Sequence, residues 1–418
     1  MSYGLKATSS SGLNKEEIEK VISDQINPSQ FEGLNVLVVV PDHTRTAPVG
    51  KVFKSLFHHI GHVTRSMDVI VALGTHPPMT ESAIQERLDI SNEEREGKFS
   101  SVRFINHQWD NPDALQLIGT IPSGEIRDLT DGRFEMDVPV EINKIVMDYD
   151  HIIIIGPVFP HEVVGFSGGN KYFFPGIAGP RILNFFHWLG AVVTNAQIIG
   201  RQKTPVRKVV DAAGAMIQKN KTCLALVVGD SKELAGLYSG TPESAWELAS
   251  EHSRAAHIIY KEKSFDTVLS VAPPMYEELW TAGKAMYKLE PVVADGGELI
   301  IYAPHLSEIS ETHGEIIKKI GYHVRDYFLK QWDDFKDMPW GVIAHSTHVK
   351  GSGTYQNGIE TPRIKVTVAS QLPESICKQI NLGYRDPASI CFDDYKDKED
   401  QGILFVPKAG ERLFLLQE

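Results

Sequence analysis

The 418 residues predict an α/β fold, drawn as two α/β domains with largely parallel sheets and an active-site cleft between them. Three observations lead there. Short β-branched apolar runs recur along the chain, each bounded by Pro, Gly or Asp, and such runs are expected to be buried strands. Helical patterns separate them, as βαβ units on parallel sheets require. The runs, at 36–40, 69–73, 152–155, 224–228, 268–271, 299–302, 342–345 and 364–368, are too many, with their helices, for one core of ordinary size.

Taken in order, the first two runs end in loops rich in chemistry, Pro41-Asp42-His43-Thr44-Arg45 and Gly74-Thr75-His76-Pro77. Ligands of open α/β sheets sit at the carboxyl ends of strands, so both loops are candidate binding elements. Arg45 can fork a carboxylate or phosphate and Asp42 can accept from a hydroxyl or ring N–H; equally, Asp42 can cap a turn and Arg45 pair with a surface acid. The third run enters the densest segment of the chain, with His161, the glycine-rich stretch Ser167-Gly168-Gly169, and Lys171. Glycines expose backbone N–H groups to anions, and the lysine adds a charge or a nucleophilic amine. Phe166, Phe173, Phe174 and Ile177 are too apolar for a surface loop. The spacing is neither that of a Walker loop nor that of a dinucleotide fingerprint.

Residues 184–191 read as a helix carrying His187 among aromatics, either a metal ligand or a half-buried core residue. No HxxxH or HExxH partner accompanies it, and no local set of three or four zinc ligands can be assembled. Helices are expected over 205–221, opening on Pro205, and over 307–320, closing at Gly321. The polar stretch 260–266 marks a domain start, giving 1–262 and 263–418 as the two domains. In the latter, residues 277–287 read as a helix carrying Thr281 and Lys284. The segment His345-Ser-Thr-His348-Val-Lys350-Gly351 is expected to be a loop after a strand, lining a cleft or merely polar. The charge run 393–400 is expected to be solvated.

Composition narrows the partners. With Lys+Arg 42 against Asp+Glu 54, the formal net charge is −12, which disfavours nucleic acid and anionic membranes. No apolar run reaches the roughly 18 residues of a bilayer span, and residues 1–12 lack the apolar core of a secretory signal. The three cysteines, Cys223, Cys377 and Cys391, share no CxxC spacing, so a reduced, cytoplasmic setting is expected.

In combination these motifs resemble the nickel-dependent lactate racemase family, the LarA-like α-hydroxyacid racemases and epimerases. They are an Asp-x-Thr-Arg loop, then Gly-Thr-His, then a histidine ten residues before the lysine of Ser-Gly-Gly-x-Lys, then a histidine sixteen residues beyond it. The resemblance spans essentially the whole chain. It implies a racemase or epimerase inverting C2 of a 2-hydroxy acid by reversible hydride transfer to a nickel-pincer nucleotide, the Ni(II)-pyridinium-3,5-bisthiocarboxylate mononucleotide supplied by cofactor-synthesis proteins. It implies His187 as the metal ligand, Lys171 as the residue that can tether the cofactor, and His76 and His161 as the acid–base pair. Asp42, His43, Thr44, Arg45, Ser167, Gly168 and Gly169 would form the cofactor loops, while Arg45, Thr281 and Lys284 would contact substrate. An oligomer is compatible with it.

The chain departs from the family pattern at two places. Pro77 stands where a basic residue usually follows the Gly-Thr-His histidine, and Thr281 stands where lactate racemases tend to carry glutamine. Both changes fall where substrate is contacted, so a sugar acid or dicarboxylate is favoured over lactate. Two rival readings are a non-catalytic binder of the nickel cofactor or of a sugar acid, and an NAD-linked 2-hydroxyacid dehydrogenase. Retention of both histidines argues against the first, and the missing dinucleotide fingerprint against the second.

Overall fold

The computed structural model describes residues 2–417. The first compact unit comprises residues 1–159, 166–183 and 207–256, and the second comprises 160–165, 184–206 and 257–418. The division is thus interleaved, where the sequence suggested one cut, and it assigns His161 and His187 to the second unit.

The first unit is built on a seven-stranded sheet. Its strands are β1 (Tyr3–Lys6), β2 (Asn35–Pro41), β3 (Ser66–Ala72), β4 (Phe104–Asn106), β5 (His151–Pro157), β6 (Asn220–Val228) and β7 (Leu234–Gly240), in the order β1-β7-β6-β5-β2-β3-β4. Pairings from β6 through β4 are parallel, and the β7 edge is antiparallel. Strands β2 and β5 read as continuous apolar runs because neither face meets water: Val36 to Val40 and Ile152 to Ile155 are all fully buried. From β2 the chain proceeds to β3 and β4 on one side and returns to β5 and β6 on the other. The carboxyl ends of β2 and β5 therefore flank a topological switch point, where open α/β sheets bind ligands. The helices α1 (Lys15–Gln25), α2 (Val49–Ile60) and α3 (Glu81–Arg87) follow the early strands, and α1 opens on an Asn14–Glu17 capping box.

The second unit carries a five-stranded, all-parallel sheet: β8 (Phe265–Val271), β9 (Val293–Ala303), β10 (Lys365–Ser370), β11 (Gly383–Tyr384) and β12 (Ile403–Val406), in the order β11-β10-β9-β8-β12. Its switch point lies between β8 and β12, and the segment leaving β8 holds Thr281 and Lys284.

Four expectations are corrected. The run 342–345 is not a strand: it lies inside a helix, Trp340–Lys350, in which every residue from Val342 to Lys350 is buried. The segment His345–Lys350 is consequently helical, and the helix stops at Gly351, whose φ of 85° a side chain would disfavour. The helix opening at Pro205 ends at Ala215, because β6 starts at Asn220. The helix closing at Gly321 begins only at Gly314. The charge run is solvated short turns, as its composition demands.

Candidate functional site

In the first unit the loop after β2 is held as a set of turns around Asp42, which is 3% exposed. Its Oδ1 accepts from the Thr44 N–H at 3.1 Å and the Thr44 hydroxyl at 2.7 Å. Its Oδ2 lies 2.5 Å from Nδ1 of His76, at the end of the adjacent parallel strand β3. A carboxylate has only lone pairs to offer, so His76 donates through Nδ1 and its Nε2 is left as the basic nitrogen. Asp42, expected among the cofactor contacts, is hydrogen-bonded to His76.

Arg87 on α3 ties off this loop, donating through Nε to the Pro41 carbonyl at 3.2 Å and through Nη1 to that of Ala47 at 3.0 Å. Its Nη2 is buried without a hydrogen-bond partner. Beside it lies a cavity of about 630 Å³, lined by His43, Lys51 and Arg87, with Glu86 and Asp89 also on its wall. The first residues of α2, Val49 and Gly50, line it too; α2 has no side-chain cap, and the Val49 N–H donates to the Ala47 carbonyl at 2.9 Å.

The loop carrying Lys171 adjoins these turns. The Gly74 N–H donates to the Gly176 carbonyl at 3.0 Å. Tyr172, next to Lys171, lies across Gly156 of β5, where an added Cβ would sit 2.3 Å from the ring. Tyr172 donates to the Pro157 carbonyl, and burial pushes its phenol up although Arg45 and Arg87 oppose the shift.

Behind Lys171 a fully enclosed clamp holds the glycine stretch. Arg207 donates to the carbonyls of Phe166 at 2.5 Å and Gly168 at 3.3 Å, with its guanidinium 4.0 Å above the Trp246 ring. The Trp246 indole N–H donates to the Ser167 carbonyl at 2.9 Å. The Ser167 hydroxyl oxygen accepts the Phe159 N–H. Gly168 and Gly169 adopt φ of 92° and 59°, and a Cβ on either would strike Val158 or Pro242. Asn170 donates to Asp211 at 3.0 Å and Glu243 at 2.7 Å. Sequence reasoning missed Arg207, Trp246 and Asn170, whose partners lie 39 to 79 positions away.

In the second unit, His161 is 4% exposed and its Nδ1 accepts the Val163 N–H at 3.1 Å. Its neutral ring therefore carries the proton on Nε2, the reverse of His76. A Glu162 oxygen lies 3.3 Å from the same Nδ1 and would steady the ring once that nitrogen is protonated. His187 stacks on Phe186 in the helix Pro180–Val193 and is half-buried, whereas Phe185, Phe186 and Trp188 are closed off. Among the described residues no group of three or more His, Cys, Asp or Glu side chains could hold a metal ion.

After β8, two short helical turns, Leu279–Ala282 and Lys284–Tyr287, carry the other candidates. The Thr281 hydroxyl donates to the Glu278 carbonyl at 3.0 Å, and the Lys284 ammonium lies 4.8 Å from the Tyr276 ring centroid. His345 and His348, unassigned by the sequence, both sit buried on the helix Trp340–Lys350, with burial driving their pKa values down to about 3 and about 4.

Residues 5–200 match the family described as the lactate racemase N-terminal domain. Over 320 residues the chain is 25% identical to lactate racemase of Thermoanaerobacterium thermosaccharolyticum, spanning 72% of this chain and 68% of that one. Over 302 residues it is 23% identical to lactate racemase of Lactiplantibacillus plantarum, spanning 69% and 66%. Among solved structures, a Thermotoga maritima protein is 32% identical with a TM-score of 0.90, covering 99% of this chain and 100% of the other. The lactate racemase apoprotein from T. thermosaccharolyticum superposes with a TM-score of 0.72 at 18% identity, covering 98% and 94%.

Proposed function

From the match of residues 5–200 to the lactate racemase N-terminal domain and the likeness to two lactate racemases, we propose that the chain is an isomerase of that family inverting C2 of a 2-hydroxy acid, with a sugar acid or dicarboxylate favoured over lactate, residues 1–262 holding a nickel-pincer nucleotide and 263–418 adding substrate contacts. The observation that carries this reading is the pair of histidines in opposite tautomers. His76, locked by Asp42, offers a bare Nε2, and His161, locked by the Val163 N–H, offers a protonated one. Inverting a carbinol centre needs one group that removes the hydroxyl proton and another that returns a proton to the new hydroxyl. His76 serves as base and His161 as acid in one direction, and they exchange roles in the other.

The residues present fit the cofactor. A mononucleotide phosphate needs hydrogen-bond donors and cations, and Arg87, whose Nη2 is unpartnered, Lys51 and His43 line one cavity beside the start of α2 that would take it. Lys171 is presented by a loop clamped at three successive carbonyls, those of Phe166, Ser167 and Gly168, which suits a residue that must hold one position for a covalent tether. His187, half-buried on the helix Pro180–Val193, would ligate the nickel. When bound, the group supplies a hydride acceptor and donor. The chain's own residues bind, orient and move protons: Arg45 and Lys284 hold the carboxylate, and Thr281 and Pro77 leave space and remove a charge where a lactate racemase places larger or basic groups.

Nickel analysis and intact mass on protein co-expressed with the cofactor-making enzymes test this reading. About one nickel per chain is expected, lost in His187→Ala, together with a mass increment lost in Lys171→Ala. Neither nickel nor increment would overturn it. Rates on lactate, malate and gluconate should place lactate last, and a clear preference for lactate would overturn the substrate assignment.

A further inference from the structure

The second unit holds a cavity of about 280 Å³ to which the proposed reaction gives no role. All of its walls belong to that unit, and two helices end on it. The helix Pro180–Val193 contributes Ala191, and the helix Trp340–Lys350 contributes Thr347 and His348. We propose that this cavity is a binding site for a small organic cation, a compound carrying a primary ammonium group. The proposal goes beyond the racemase reading and does not rest on it: Ala191 follows His187 by four residues, so the site lies one helical turn beyond the proposed nickel ligand and does not include it.

The walls select for charge. A helix C-terminus carries a partial negative charge and unfilled carbonyls, and two of them close on this one cavity. Glu290, 3% exposed, lies on the same wall; its Oε1 accepts the Ser352 N–H at 2.7 Å, and its Oε2 makes no hydrogen bond among the described residues. Gly351 makes room for that carboxylate, since a Cβ there would come 2.8 Å from Oε1. Arg325 also lines the cavity, but its Nη1 is spent on a helix-end carbonyl, that of Val192, at 3.1 Å, and Asp326 meets its charge at 2.9 Å. Arg363 stays 3.8 Å from Glu290 and pairs more closely with Asp295, at 3.1 Å. The carboxylates of Glu290, Asp295 and Asp326 thus stand against two guanidiniums, and a cation restores the balance.

Unmet acceptors on the wall point the same way. Asn195, 7% exposed, donates through Nδ2 to the Tyr287 carbonyl at 2.9 Å, which fixes the amide and leaves Oδ1 buried with no hydrogen-bond partner. Nε2 of His348, whose ring centroid lies 6.3 Å from that of Tyr287, is buried without a partner as well. Burial brings the His348 pKa down to about 4, so the imidazole adds no positive charge at neutral pH. The turn that delivers Asn195 is strained, because the β-branched Thr194 holds a φ of 88°, and strain of this kind collects at ligand sites. An ammonium has three donors and no acceptor, and so matches these walls where a carboxylate or phosphate would meet repulsion. The volume is far above the roughly 30 Å³ share of one water, which suits an amine of a few carbons rather than a bare ion.

Titration calorimetry on the full chain tests the site with three probes of one length, 1,4-diaminobutane, 1,4-butanediol and succinate, and with 2-aminoethanol as a second amine. One diamine should bind per chain, with the diol and succinate at least about tenfold weaker. Glu290→Gln keeps an acceptor for the Ser352 N–H while removing the charge, and should weaken the diamine about tenfold or more. Gln197, exposed at the rim, provides variants that leave the packing alone: Gln197→Lys should weaken the diamine and Gln197→Glu should not. Binding of neither amine, succinate binding as tightly as the diamine, or a diamine affinity untouched by both Glu290→Gln and Gln197→Lys would overturn the proposal. Displacement of the diamine by Mn²⁺ mole for mole would make this a metal site and overturn it too. None of these readouts needs the nickel cofactor or turnover, so their failure leaves the racemase reading standing, and a chain that isomerises no 2-hydroxy acid would leave the cation site standing.

Discussion

The Asp42 carboxylate divides its oxygens between the Thr44 donors and the His76 ring, so the β2 loop and the orientation of the base are set by one side chain. Asp42→Asn keeps the shape but can present an amide donor to Nδ1, which would place the imidazole proton on Nε2 instead. We expect kcat to fall on the order of 10² to 10⁴-fold, with nickel content unchanged; loss of nickel in step with activity would make Asp42 a cofactor contact instead. Tyr322 gives the opposite kind of expectation. Its buried hydroxyl is desolvated without a partner, so Tyr322→Phe should stabilise the ligand-free protein by about 1 kcal/mol, read as a higher urea midpoint at unchanged slope. A lower midpoint would mean that the hydroxyl already has a partner in solution.

At the scale of elements, the clamp around residues 166–170 converts a glycine-rich stretch into a rigid support for Lys171. Arg207 is 4% exposed, and burial lowers its pKa despite Asp211 nearby. Arg207→Met would strand two carbonyls and leave the Asp211 and Glu243 carboxylates less compensated, at a cost of about 3–5 kcal/mol. Thermal unfolding should show that loss, and amide exchange should quicken first at 166–171; an unchanged exchange pattern would refute the clamp. The loops carrying Asp42, His76 and Lys171 were legible in the sequence because parallel strands place successive loops at one sheet edge. The Asp42–His76 bond was not, since nothing local marks a partner 34 positions away. The helix Trp340–Lys350 was misread for a related reason. Wholly buried from Val342 onward, it shows no polar face, and Val342-Ile343-Ala344 then looks like a buried strand.

Among the described residues of the whole molecule, buried or half-buried histidines with depressed pKa values occur in each unit. Burial is the leading cause at His107 and His151 in the first, both brought to about 4, and at His345 and His348 in the second, brought to about 3 and about 4. Above about pH 6.5 these rings are neutral whether the chain is folded or unfolded, so they contribute nothing to the pH dependence. Below it the unfolded chain takes up protons that the folded chain refuses, so stability falls with pH and stops falling from this source once the folded pKa values are passed. Each unit should lose up to about 2.7 kcal/mol per pH unit between pH 6 and pH 4.5. Carboxyl groups held low by their partners, such as Glu94 beside Lys54, add their own loss only below about pH 4.5. Urea unfolding at pH 7, 6 and 5 separates the two sources. The midpoint should drop across this range, and less steeply in His345→Gln, which removes one of the second unit's depressed imidazoles. A midpoint that holds from pH 7 to pH 5 would mean that water or a partner reaches these imidazoles in the folded protein.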